Sequence, residues 1–294
     1  MSRVPFNKLA DIVNADKKVE RGEFIDTANH DAAKKKYESD MKIEKIETAK
    51  NNIPLRANMK DGTLLPFPFS LIFSGRSGSG KTNLLINLLT NPKMYGKYFH
   101  YMMVFSPTAK IDDLYKSLKI PDENLKTTFE PADLEHIIKM RMEQVKKKGI
   151  DKVAQGSRLL IIFDDTIANQ NFLKSKEALE MFTLLRHYLV SVIILTQKYN
   201  KIPPAQRDNA SGLFIFPSNR NEVELMKDEL CPPFLDKKTF EKVVDYATNE
   251  KYSFLFINNK ADNEQRYRKN LTEVINLNKF RSGDNKYDDN KSLT

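Results

Sequence analysis

The sequence predicts an α/β fold in which a mainly parallel central sheet is flanked by helices. Three observations lead there. Short runs such as Leu159–Phe163 and Val192–Leu195 are apolar at every residue, the pattern of strands covered on both faces. Longer stretches of helical pattern separate most of these runs, and strand, helix, strand in succession is the signature of parallel pairing. A glycine-rich loop, residues 75–82, joins the first apolar run to a helix.

In chain order, strands are expected at Phe69–Ser74, Tyr101–Phe105, Leu159–Phe163, Val190–Thr196, Leu213–Phe216 and Ser253–Ile257. Helices are expected at Lys81–Leu89, Pro131–Lys148, Lys174–Leu189 and Glu222–Leu230. Residues 53–265 form the predicted core. It opens with a linking segment, Ile53–Pro68, that carries three prolines and Asp61-Gly62, residues that mark turns. Before it, residues 1–52 read as a charged extension, helical or partly disordered, because large apolar side chains are few. After it, residues 266–294 read as a basic tail.

Composition bounds the function. The 294 residues are 40% hydrophobic and 30% charged, as in an ordinary soluble protein. No apolar run reaches the roughly 18–20 residues that span a bilayer. The N-terminus has no signal-peptide core, so an intracellular protein is expected. A single cysteine, Cys231, excludes an intrachain disulfide framework. The net charge of +9 favours a polyanionic partner, although solvated lysines give the same number.

Residues Gly75-Arg76-Ser77-Gly78-Ser79-Gly80-Lys81-Thr82 match G-x-x-x-x-G-K-[ST] in full. The glycines let the backbone curl so that its N–H groups face phosphate oxygens. The helix starting near Lys81 turns its unpaired N–H groups and positive end to the same anion. Lys81 then reaches the β- and γ-phosphates, and the Thr82 hydroxyl ligates Mg²⁺. Chance produces these four fixed positions in about one chain of this length per hundred, and the apolar strand before and apolar helix after them narrow it further. The motif predicts a P-loop NTPase core of RecA-like, ASCE type that takes ATP and Mg²⁺.

Leu159–Phe163 runs into Asp164-Asp165. Two acids at the end of a buried strand are costly without a cation, which assigns Asp164 to Mg²⁺, partly through water, and Asp165 to polarising the attacking water. The competing reading is a turn or a helix cap. Val190–Thr196 is followed by Gln197; on a strand between the loop strand and the acidic strand, this amide would touch the γ-phosphate or the water. Arg186 and Arg207 are the two candidates for an arginine finger, each also readable as a solvated helix-end cation.

Together, Phe73–Thr82, Asp164-Asp165, Arg186-His187, and Thr196-Gln197-Lys198-Tyr199-Asn200-Lys201-Ile202-Pro203 with Arg207-Asp208-Asn209 resemble the DNA-packaging ATPases of large DNA viruses and virophages. That group has a poxvirus member and lies in the FtsK–HerA superfamily. The T-Q-x-Y-x-K-x-P segment with R-x-N shortly after is its most diagnostic part, and the resemblance covers roughly residues 66–260. One departure is Asp165, where many cellular members place a glutamate. The resemblance implies a homo-oligomeric ring of five or six subunits that threads double-stranded DNA into a preformed capsid. It further implies a capsid or portal-vertex partner, a finger supplied by the neighbouring subunit, and residence in the host cytoplasm or the virion. A helicase or other DNA-remodelling ATPase, a nucleotide-regulated scaffold with little turnover, and a small-molecule kinase are the alternatives. Lys146-Lys147-Lys148 would suit a DNA channel, but equally the C-terminus of a helix that begins at Pro131 with Asp133 in its first turn. The segment Arg266–Arg281, with Tyr267 and Phe280 interleaved, would touch nucleic acid or capsid, or be a solvated extension.

Overall fold

The computed structural model describes residues 56–165 and 185–281, together with Lys35. Lys35 apart, these lie in the second of the chain's two units, Asn51–Thr294. The expected extension 1–52, most of the expected helix Lys174–Leu189 and the end of the expected tail lie outside the described residues.

Among the described residues one sheet organises the chain. Its strands are β1 (Ser70–Ser74), β2 (Tyr101–Phe105), β3 (Leu125–Lys126), β4 (Leu159–Asp164), β5 (Val190–Thr196), β6 (Gly212–Ile215), β7 (Leu255–Asn258), β8 (Tyr267–Lys269) and β9 (Glu273–Val274), in the spatial order β3-β2-β4-β5-β1-β6-β7-β8-β9. Pairing is parallel from β3 to β6 and antiparallel from β6 to β9. Every residue of β1, β4 and β5 is buried, which is why their sequences run apolar without alternation.

The helices are α1 (Ala57–Lys60), α2 (Lys81–Thr90), α3 (Asp113–Lys116), α4 (Pro131–Lys148), α5 (Ile150–Gly156), α6 (Pro204–Asp208), α7 (Arg220–Leu230), α8 (Lys237–Thr248) and α9 (Asn278–Arg281). Two cores sandwich the sheet, and strand residues alternate between them with a period of two. Phe73, Leu160, Ile162 and Leu195 join Leu85 and Leu88 of α2 in one core. Ile72, Ile161, Phe163 and Ile194 join Leu134 of α4, Met226 of α7 and Phe240 of α8 in the other. This is the covered, mainly parallel sheet that the sequence predicts.

Three expectations need correction. The helix expected over Lys174–Leu189 does not reach Leu189: residues 185–189 form a turn, with Val190 N–H bonded to the Leu185 carbonyl at 2.9 Å and Leu189 at φ 58°. A leucine in the left-handed region cannot continue a helix. The helix α8 was not anticipated, although Phe240, Val243, Val244 and Ala247 give its buried face a 3,4 spacing and Asp236 caps its start. The tail expected from residue 266 starts instead as strand: Tyr267, Arg268 and Lys269 are all buried. The Arg268 guanidinium donates to the carbonyls of Leu271 and Asp61 and to Gln265 Oε1, and Lys269 pairs with Glu250 at 2.6 Å. Composition alone cannot distinguish such partnered cations from solvated ones.

Candidate nucleotide site

Parallel strands deliver their C-termini to one edge of the sheet, and β1, β4 and β5 do so side by side. Ser74 is level with Thr196, and Asp164 with Leu195. The glycine-rich loop therefore leaves β1 at the same edge where β4 ends in Asp164-Asp165 and β5 in Gln197. The order β4-β5-β1 puts Gln197 between the acids and the loop, as the sequence reading requires.

The loop needs its glycines for stated reasons. A Cβ on Gly75 would lie 2.5 Å from Phe216 Cβ, inside contact distance. Gly80 caps α2 at φ 100°, open to glycine and few others. Lys81 is 7% exposed. Its ammonium donates to the carbonyls of Gly75 at 2.7 Å and Arg76 at 2.9 Å, folded back over the loop. Burial pulls its proton affinity below that of an ordinary lysine, while Asp165 and then Asp164 oppose the shift. Both carboxylates thus act on the Lys81 charge.

Asp164 is 8% exposed, and burial pushes its carboxyl up to about 6; Asp165 and Asp112 add to the rise, while Tyr115 and Lys81 oppose it. Its Oδ2 accepts a 2.6 Å hydrogen bond from the Tyr115 hydroxyl. Tyr115, on α3, is fully buried, and burial followed by the Asp164 charge raises its own proton affinity far above the phenol range. Asp165 is exposed at φ 48°, a conformation aspartate tolerates better than most residues. Its Oδ2 accepts from Gln197 Nε2 at 2.7 Å.

The model of the family described as Poxvirus A32 protein matches residues 56–279, the whole sheet included. The chain belongs to the poxvirus A32 protein family. "Uncharacterized protein 015R" of Frog virus 3 (isolate Goorha) is 26% identical over 189 residues, 64% of this chain and 56% of that protein. "DNA packaging protein OPG160" of Vaccinia virus (strain Copenhagen) is 28% identical over 167 residues, 55% of this chain and 58% of that protein. The chain thus spans little more than half the length of these relatives. Among solved structures, the genome packaging NTPase B204 from Sulfolobus turreted icosahedral virus 2, in complex with ATP-gammaS, is 16% identical, with a TM-score of 0.41 over 68% of this chain and 95% of that one.

Within this A32 family member the two candidate fingers lie elsewhere. Arg186 precedes β5 and Arg207 precedes β6, so both stand at the amino edge of the sheet, opposite the loop. They line one cavity of about 510 Å³ with Tyr199, Glu229 and Lys260; that cavity is not the nucleotide site. Arg207 is 7% exposed. It donates from Nε to Glu229 Oε2 at 2.8 Å, from Nη2 to Glu229 Oε1 and from Nη1 to the Ile202 carbonyl, with Tyr199 5.0 Å beneath. A finger offered to a neighbouring subunit needs a free guanidinium, and this one is held by Glu229 and the Ile202 carbonyl, which argues against Arg207 in that role. Arg186 is half-buried and has no side-chain partner among the described residues.

Lys146-Lys147-Lys148 are exposed at the end of α4, which Glu130 and Asp133 cap reciprocally and Gly149 terminates at φ 82°; helix-end preference accounts for them. Cys231 Sγ donates to the Leu235 carbonyl at 3.2 Å, and burial raises its pKa, so the thiol is not primed for reaction.

The residues present fit a triphosphate with a divalent cation. Ser79 Oγ in the loop is buried without a partner, α2 has no acid in its first turn, and Asp164 is a buried carboxylate facing cationic Lys81. Tyr115 is the site residue that the sequence reading misses. Nothing in Asp-Leu-Tyr-Lys marks it, because only the adjacency of β2 and β4 brings it to Asp164.

Proposed function

We propose that this chain is an ATP-driven translocase of double-stranded DNA that packages a viral genome into a preformed capsid, working as a homo-oligomeric ring. One observation carries the reading: Lys81, Asp164, Asp165 and Gln197 meet at the edge of the sheet where the glycine loop opens. The poxvirus relative's name, DNA packaging protein, supports the biological role, and the net charge of +9 suits a phosphate-backbone partner read without base contacts.

The N–H groups of Gly75, Arg76 and Ser79 are bonded to the carbonyls of Thr196, Pro217 and Arg76, so the remaining N–H groups of the loop and of the start of α2 bind the phosphates, and Lys81 exchanges its two carbonyl partners for phosphate oxygens. Thr82 and Asp164, the latter partly through water, would hold Mg²⁺, which would supply positive charge beside the phosphates. Tyr115 fixes the Asp164 carboxylate through one oxygen and leaves the other toward the site. Asp165 takes a proton from the water that attacks the γ-phosphorus as the bond to the β-phosphate oxygen breaks. Gln197 holds Asp165 in position for that transfer. Arg186, at the far edge from its own loop, serves a neighbouring subunit's site, a role in keeping with the proposed ring.

The test is turnover. Wild-type protein should hydrolyse ATP, faster with duplex DNA at low salt, and the stimulation should fall steeply as salt rises. Lys81→Ala should remove hydrolysis with the fold unchanged by circular dichroism. Equal turnover by Lys81→Ala sinks the active-site assignment, and a rate indifferent to duplex DNA sinks the translocase.

A further inference from the structure

The sheet order fixes more than the phosphate end of the site. With the terminal phosphate held between the loop and the ends of β4 and β5, the nucleoside must leave on the other side, over β6 and β7. Ile215, last in β6, is level with Leu255, first in the antiparallel β7. The turn that leads into β7 therefore stands at the same edge as the glycine loop, on the side away from Asp164. Tyr252 occupies that turn.

Three observations single this tyrosine out. It is 56% exposed, one of the few large apolar side chains in the described part of the chain left open to solvent. It packs on the loop: a Cβ built on Gly80 would meet Tyr252 Cδ1 at 3.2 Å. And its backbone sits at φ 68°, a left-handed conformation unfavourable for a tyrosine and of a kind that clusters at ligand sites. The Lys251 ammonium lies 4.9 Å from the ring centroid, so a cation stands next to the ring.

We infer that Tyr252 is the platform on which the nucleobase of the bound triphosphate stacks, with Lys251 beside it. The ligand class is a purine or other flat aromatic base joined to a triphosphate. The inference rests on the nucleotide-site reading above and adds to it the group that recognises the base. Stacking of this kind tolerates any base and favours those with larger π-faces. The second effect of the contact is to seat Gly80, and the test separates the two.

Binding of a non-hydrolysable ATP analogue and of inorganic tripolyphosphate is measured by calorimetry on wild type, Tyr252→Phe and Tyr252→Ala. Tyr252→Ala should weaken the analogue about ten- to a hundredfold and leave tripolyphosphate unchanged, while Tyr252→Phe should bind both like wild type. Equal weakening of both ligands by Tyr252→Ala overturns the platform and makes the ring a prop for Gly80. A wild type that binds tripolyphosphate as tightly as the analogue overturns it as well. A wild type that binds neither ligand overturns the nucleotide site, and the platform with it.

Discussion

Asp164 links the chemistry of this site to the stability of the fold, and Asp164→Asn measures the link. Burial lifts the carboxyl from an ordinary 3.8 to about 6. At about 1.4 kcal/mol for each tenfold change in proton affinity, that step is worth about 3 kcal/mol. The sign follows from where protons bind. Between pH 4 and 6 the folded state holds the proton more tightly than the unfolded one, so stability falls as pH rises through this window, and the full cost applies above it. Asparagine removes the charge and can still accept the Tyr115 hydroxyl, although its amide protons lose about 1 kcal/mol where they find no partner. Asp164→Asn should therefore be more stable than wild type by about 2 kcal/mol at pH 8, in urea unfolding with EDTA and no nucleotide. At pH 5, where much of the cost has already been relieved in wild type, the gap should shrink by about 1.5 kcal/mol. The same variant should lose ATP hydrolysis. A variant no more stable at pH 8, or a gap that stays flat between pH 8 and 5, would mean that the buried carboxylate is already compensated and that the site does not wait for a cation.

Asp165→Asn should retain binding of an ATP analogue and lose about 10²-fold or more in turnover, the usual worth of a positioned general base; a normal rate assigns the base elsewhere. Arg207→Ala should lower stability by about 2 kcal/mol, because it removes a nearly buried guanidinium and its charged hydrogen bonds to Glu229, whereas Arg186→Ala should leave the melting temperature unchanged and cut turnover. Mixing Arg186→Ala with Lys81→Ala subunits should then recover part of the lost rate at boundaries where an intact loop faces an intact arginine; mixtures no more active than either variant alone argue that Arg186 acts within its own chain, if at all.

What the sequence makes legible and what it hides follow from the range of the interactions. The strands β1, β2, β4 and β5 can be read because each is covered on both faces, and that burial writes itself into consecutive apolar residues. The loop Gly75–Thr82 can be read because its whole motif lies in eight consecutive residues. Asp164, Asp165 and Gln197 can be read because a strand end is a local feature and the order β4-β5-β1 is the one this loop implies. The losses are of two kinds. The helix α8 carries a local signal in Asp236 and the spacing of Phe240, Val243, Val244 and Ala247, but that signal is weak beside its charged neighbours Lys237, Lys238, Glu241 and Lys242. Tyr115, Tyr252 and the closure of Arg207 by Glu229 had none: each depends on a partner 49, 172 or 22 positions away (164 − 115, 252 − 80, 229 − 207). The charged residues divide along the same line. Arg207, Arg268 and Lys269 look like solvated or DNA-facing cations until their carbonyl and carboxylate partners are in view. The +9 already subtracts the carboxylates of such pairs, so the excess resides on other cations, and a test of the proposed DNA contact should begin with those that have no such partner, the exposed lysines 146–148 among them.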